Sequence, residues 1–194
     1  MITTTVQKGA ALLAAGIDSV VTRYHYNTGT SRYTSSAFDL SIAGFSVTDS
    51  AVYTYDGSGR IASDMHYLAS GFIPAFPALK NVYTYSSNGQ NLSGMDILAA
   101  LNPGDPLSTI GTWAYTFDAK TSPLINKNEA VILTRPNFFN SNNSTKADFT
   151  DATDPTQSFT MDYVFKYNTS GKPDSSYMTQ TPGGAVTAAK YFYQ

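Results

Sequence analysis

Along this chain an aromatic–any–aromatic triplet keeps returning, each time followed by a short polar turn. It reads Tyr24-His25-Tyr26-Asn27-Thr28-Gly29, then Tyr53-Thr54-Tyr55-Asp56-Gly57-Ser58-Gly59-Arg60-Ile61, then Tyr83-Thr84-Tyr85-Ser86-Ser87-Asn88-Gly89-Gln90. A degenerate copy is Tyr115-Thr116-Phe117-Asp118-Ala119-Lys120, and the last is Phe165-Lys166-Tyr167-Asn168-Thr169-Ser170-Gly171-Lys172. The second aromatics fall at 26, 55, 85, 117 and 167, a period near thirty residues with one stretched interval. Side chains alternate faces along a strand, so the two aromatics of a copy share a face and the residue between them points away. Asp, Asn or Ser then bonds the backbone ahead of it, and Gly takes up the positive φ of the turn. Each copy therefore predicts a β-hairpin.

Five hairpins predict about ten strands in an all-β antiparallel meander, curved into a barrel-like or half-open sheet with at most one or two short helices. Residues 1–194 read as a single domain, with a lead-in over 1–19 and hairpin repeats over 20–194. Between hairpins, Ala69 to Lys80 is apolar and carries Pro74 and Pro77, which argues against a central strand. Ser93 to Leu101 reads as a short helix capped by Ser93 or as a return strand, the helix being favoured, and Asn102-Pro103-Gly104 stops it. An inserted Asn-rich polar loop near 137–155 accounts for the stretched interval.

Composition sharpens the picture. Charged residues make up 13% of the 194 positions, about half the usual quarter, while Thr (24) and Ser (21) fill the difference. A net charge of −2 leaves no basic face for nucleic acid. The absence of cysteine excludes disulfides, thiolate metal sites and Cys nucleophiles. No apolar run approaches a membrane-spanning helix, and Ala10 to Ala15 is too short for the core of a signal peptide. The expectation is an extracytoplasmic protein trimmed of its export signal, at the outer membrane, the cell surface or in the periplasm.

Candidate chemistry is sparse. His25 and His66 sit in no HExxH arrangement, and His25 reads as a strand-surface residue pointing away from Tyr24 and Tyr26. There is no Gly-x-Ser-x-Gly elbow, and the acids Asp148, Asp151, Asp154 and Asp162 read as a solvated loop lacking the order of a calcium loop. No catalytic residue, metal or cofactor is expected. The repeat aromatics either line the core, which is favoured, or form an exposed platform; Tyr53 and Tyr83 are the candidates for the second reading. The loop aromatics Phe72, Phe76, Phe138 and Phe139 either fold over a sheet end or contact a partner, and complete the candidate binding set.

The Tyr-x-Tyr-Asp-x-x-Gly-Arg pattern, clearest at Tyr53 to Ile61, resembles the YD repeat of RHS-type proteins. The ordered set of copies, with the block Tyr115 to Leu124, the stretch Asn137 to Lys146 and the hairpin Tyr163 to Pro173, is similar to uncharacterised surface or periplasmic lipoproteins of Bacteroidota. That resemblance implies anchoring through a lipidated cysteine, which this chain lacks, and supplies no catalytic residue. Asp18-Ser19-Val20 and Asp49-Ser50-Ala51 resemble the short O-glycosylation signal of Bacteroidota envelope proteins. The expected function is a non-enzymatic envelope protein that binds an envelope protein partner or serves as an accessory subunit of an outer-membrane assembly. The alternative is a module holding a glycan or apolar ligand on an aromatic sheet face. No nucleic-acid partner is expected, and membrane contact is expected only through a lipid anchor absent from this chain.

Overall fold

The structure is a computed structural model describing residues 2–7, 14, 16–29, 32–42, 45–122 and 140–192. It is all-β, a twelve-stranded sheet whose spatial order follows the chain. The strands are β1 (Ile2–Gln7), β2 (Ile17–Tyr26), β3 (Tyr33–Ile42), β4 (Phe45–Tyr55), β5 (Ile61–Ser70) and β6 (Ile73–Tyr85). They continue with β7 (Leu92–Ala99), β8 (Ser108–Thr121), β9 (Asn142–Asp151), β10 (Phe159–Tyr167), β11 (Pro173–Thr181) and β12 (Val186–Lys190). Among the described residues the succession of paired strands runs from β1 to β12. Twelve strands replace the expected ten because β1 from the lead-in and β12 after the last hairpin add to the five hairpins.

The hairpin turns form as their residues dictate. Asp56 Oδ1 accepts from Ser58 N and Arg60 N, each at 2.9 Å, and its other oxygen pairs with Arg60 at 2.7 Å. Asn168 does the same from the neutral side, accepting from Ser170 N at 3.1 Å and Lys172 N at 3.0 Å. The closing glycines Gly59 and Gly171 sit at φ +78° and +76°, where a Cβ is strained.

Four local expectations are corrected. Asp118 does not turn the chain: β8 runs through it to Thr121, with a bulge that breaks register between Phe117 and Thr121. The helix expected over Ser93 to Leu101 is strand β7. Ser93 Oγ donates across to the Thr84 carbonyl at 3.2 Å instead of capping a helix, and Gly94 lets the backbone approach Trp113 O closely. The stretch Ala69 to Lys80, expected not to be a central strand, supplies most of β6. Its prolines are tolerated because Pro77 lies where the β5–β6 register shifts, and because Ala100 N bonds Ala78 O where β7 has just ended. The loop near 137–155 is largely β9, its asparagines bonded to other strands; positions 137–139 lie outside the described residues. Asn91 Nδ2 donates to Asn142 Oδ1 at 3.0 Å, Asn142 N donates back to Asn91 Oδ1 at 3.2 Å, and Leu92 N donates to buried Asn140 Oδ1 at 2.6 Å.

The chain divides into two compact units. Unit 1 comprises Met1–Val82 with Leu98–Ser108, and unit 2 comprises Tyr83–Ile97 with Thr109–Gln194. In unit 1 the buried residues include Val20, Tyr33, Ala51, Tyr53, Ile61 and Ala78. The repeat aromatics face this core: Tyr33 lies 5.2 Å from Tyr24, 4.6 Å from Tyr26 and 6.3 Å from Tyr53, ring to ring. The opposite face is polar, with Asp39 bonded to Arg23 and, at 2.7 Å, to Thr48. In unit 2, Tyr83, Leu92, Tyr115 and Ala147 are buried. A ring cluster there joins Trp113 to Phe149 at 5.0 Å and to Phe159 at 5.5 Å.

Candidate functional site

The aromatic face of unit 1 carries a cluster of ionisable groups at His66. Strand alternation puts Asp49, Ala51 and Tyr53 of β4 on that face, and the register Ala51↔His66, Tyr53↔Asp64 and Asp49↔Leu68 sets β5 beside them. His66 thereby falls between two carboxylates. Its Nδ1 lies 2.9 Å from both oxygens of Asp49, and its Nε2 lies 3.3 Å from Asp64 Oδ1. Asp64 is only 1% exposed, and β6 satisfies it through Asn81 N at 3.2 Å and Asn81 Nδ2 at 2.8 Å. Burial acts to lower the pKa of His66, but its hydrogen bonds to Asp49 and Asp64, reinforced by their charges, hold it at about 9. At neutral pH the centre is therefore an imidazolium clamped between two carboxylates. Tyr53, buried behind it, is pushed up to about 12, by burial first and then by the charge of Asp64, against the opposing bond to Ser36 at 2.5 Å.

The outer side of this centre is partly exposed. The Asp49 side chain is 32% exposed. Its cross-strand neighbours are Phe38 on β3 and Leu68 on β5, both exposed. A fixed carboxylate is thus fenced by two apolar side chains, so hydroxyl donors can reach the oxygens while C–H faces pack on the flanks. Both His66 nitrogens are engaged, which leaves the ring neither a free metal-ligating atom nor a base at neutral pH.

The sequence-derived candidates separate into different environments. Tyr53 and Tyr83 are each 8% exposed and belong to the packed rows. Phe76 is half-buried opposite Leu68, beside the Asp49 site. Phe72 stands at the tip between β5 and β6 with its ring 6.0 Å from Phe45. Phe138 and Phe139 lie outside the described residues. The acids expected in a loop serve local structure: Asp148, within β9, pairs with Lys146 at 2.8 Å, while Asp154 caps a single 3-10 turn at Pro155–Gln157. Asp49, His66 and Asp64 were not singled out as a group by sequence reasoning. Counting outward from the Asp56–Gly59 turn, which pairs Tyr55 with Ile61, would set Tyr53 against Ser63; the register shift between Thr54 and Tyr55 is what brings Tyr53 to Asp64 and Ala51 to His66.

No family model and no curated protein matches the chain. Among solved structures it is similar to a porin-like protein from Bacteroides vulgatus ATCC 8482, with 8% identity and a TM-score of 0.56, over 98% of this chain and 87% of that one. It also aligns with a porin-like protein from Bacteroides uniformis ATCC 8492 at 12% identity and a TM-score of 0.46, over 96% and 74% of the two chains. The first likeness shows that the two share a fold.

Proposed function

We propose that this chain is a non-enzymatic binding protein of the bacterial cell envelope, and that the Asp49 face of unit 1 holds a polyhydroxylated ligand of the glycan class. The observation that carries the reading is Asp49 itself, held by His66 and flanked by exposed Phe38 and Leu68. Sugar recognition combines carboxylate acceptors for hydroxyls with apolar surfaces for ring C–H groups, and this site brings both together. The imidazolium speaks against general-base chemistry at neutral pH.

The shared fold with a porin-like Bacteroides protein, together with a Ser-, Thr- and Tyr-rich composition, supports the envelope placement. The strands themselves argue against a lipid-spanning pore. A transmembrane barrel needs one uncharged apolar face at membrane depth. Here Arg23 and Asp39 lie on one face of unit 1, and Asp49, His66 and Asp64 on the other. An accessory subunit of an outer-membrane assembly is the same placement with a protein in the ligand's position.

Affinity electrophoresis through gels containing neutral polysaccharides (mannan, xylan and starch) tests the proposal. Wild-type protein is expected to be retarded by at least one of them, and Asp49→Asn and Phe38→Ala to migrate freely while keeping the wild-type circular dichroism. Free migration of the wild type in every gel, or equal retardation of folded Asp49→Asn, overturns the glycan reading.

A further inference from the structure

We propose that one end of the unit 1 sheet docks on a lipid surface through the paired tips of the β3–β4 and β5–β6 hairpins. In an antiparallel meander successive connections alternate between the two ends of the sheet. The β2–β3 and β4–β5 connections of unit 1 are polar: Asn27, Thr28 and Arg32 in one, Asp56, Ser58 and Arg60 in the other. At the other end the β3–β4 and β5–β6 connections are of opposite character, while the β7–β8 connection carries Asn102 and Asp105. β3 ends at Ile42 and β4 begins at Phe45, while Gly71 and Phe72 join β5 to Ile73 of β6. Phe45 is 60% exposed and Phe72 82%, and Ile42 and Ile73 are exposed beside them. The 6.0 Å approach of the two phenylalanine rings makes the two tips one patch. Val47 and Leu68 extend it inward along the sheet, both also exposed.

Three properties of this patch select a lipid surface over a protein. The ladders are paired up to the tips, at Ile42↔Phe45 and Ser70↔Ile73, so few backbone polar groups would be stripped of water on insertion. Next, the sequence from Leu40 to Val47 and from Leu68 to Leu79 contains no charged residue. No ionic complement is offered, which fits a neutral hydrocarbon boundary rather than a charged partner or a headgroup-specific site. Finally, the exposed parts of Ile42, Phe45, Phe72 and Ile73 sum to about 400 Å², on a scale of roughly 200 Å² per full aromatic side chain. That is about half of what each partner contributes to a stable protein interface, so a second copy is a poor occupant. A fluid bilayer accepts separate apolar tips without needing a matching surface.

This inference does not depend on the glycan reading, because the tips and the Asp49 centre are tested with different probes. The test is flotation of the full chain with vesicles of pure phosphatidylcholine, at low and at high salt. Wild type is expected to float at both, and the Phe45→Ser/Phe72→Ser double variant to lose vesicle binding at least about tenfold. Because both residues are exposed, the variant is expected to keep its circular dichroism. As a second readout, Phe72→Trp is expected to gain emission, relative to wild type, that shifts blue with vesicles and is quenched by brominated phosphatidylcholine. The proposal is overturned by wild type that does not float, or by undiminished flotation of the folded double variant. Binding only to vesicles with anionic phosphatidylglycerol, abolished by salt, overturns it too. So does a lipid-free dimer that the double variant dissociates, which assigns the tips to a second copy.

Discussion

Replacing His66 by Gln removes the single cation between Asp49 and Asp64 while nearly preserving side-chain volume. In the folded protein His66 holds its proton up to about pH 9, against 6.5 as its ordinary value. That difference corresponds to about 3 kcal/mol, an upper figure because the side chain is 22% exposed and partly screened. The sign follows from linkage. Below about pH 6.5 the ring is protonated in both the folded and unfolded chains, and the full contribution is present. Between 6.5 and about 9 the folded state binds the extra proton, so stability falls as pH rises. Above 9 the ring is neutral in both states and the contribution is gone. Urea denaturation followed by circular dichroism, repeated across this range, reads the effect as a midpoint shift on the order of 1 M. The gap between wild type and His66→Gln is expected to be widest at mildly acidic pH and to close by roughly 3 kcal/mol through pH 9. Parallel curves for the two proteins would show that the carboxylates do not hold the imidazolium, and would remove the electrostatic basis of the site.

Other predictions address the turns and the rings. Asp56→Ala leaves the amides of Ser58 and Arg60 without their acceptor and breaks the pair with Arg60, so a loss of about 1–2 kcal/mol is expected in thermal denaturation. Asp56→Asn keeps the acceptor and is expected to lose less. Gly59→Ala places a methyl at φ +78° on the Arg32 guanidinium, which lies 5.3 Å from the Tyr55 ring. A cost of about 1 kcal/mol or more is expected, and an unchanged melting temperature would count against the turn geometry. Gly111→Ala sets a Cβ 2.7 Å from the Phe149 ring, which packs on Trp113. Since this is the chain's one tryptophan, a shifted emission maximum with about 1–3 kcal/mol of destabilisation is expected, and unaltered emission would refute the packing.

How far the sequence could be read follows the distance over which each polar group finds its partner. The Asp56 and Asn168 turns were legible because their bonds close within four residues. The Asn-rich segment read as a loop because its asparagines seemed to need water. They are satisfied from far along the chain, Asn142 by Asn91 across 51 residues, and no local pattern announces that. Similarly, Pro74 and Pro77 weigh against a strand only where both flanks must be paired, and β7 ends before reaching them. Asp118 looks like its turn-forming counterparts, yet in its setting Tyr167 and Asn143 bond the carboxylate and β8 continues. The Asp49–His66–Asp64 centre was half legible. The Asp56–Gly59 turn announces the β4–β5 pairing, but the register shift at Thr54/Tyr55 sets which residues meet, and the flanking Phe38 and the satisfying Asn81 come from β3 and β6.

The sequence by itself determined the all-β class, the antiparallel meander and the position of most turns. These rest on period-two alternation and on bonds between near neighbours, which operate in any context. Only the tertiary structure decided which polar segments become strands, which carboxylates surround His66, and which apolar loop residues stay in water. Those outcomes depend on the strand that lies alongside, because a buried polar group is stable only when a distant partner meets it, and an apolar tip stays exposed only when nothing folds over it.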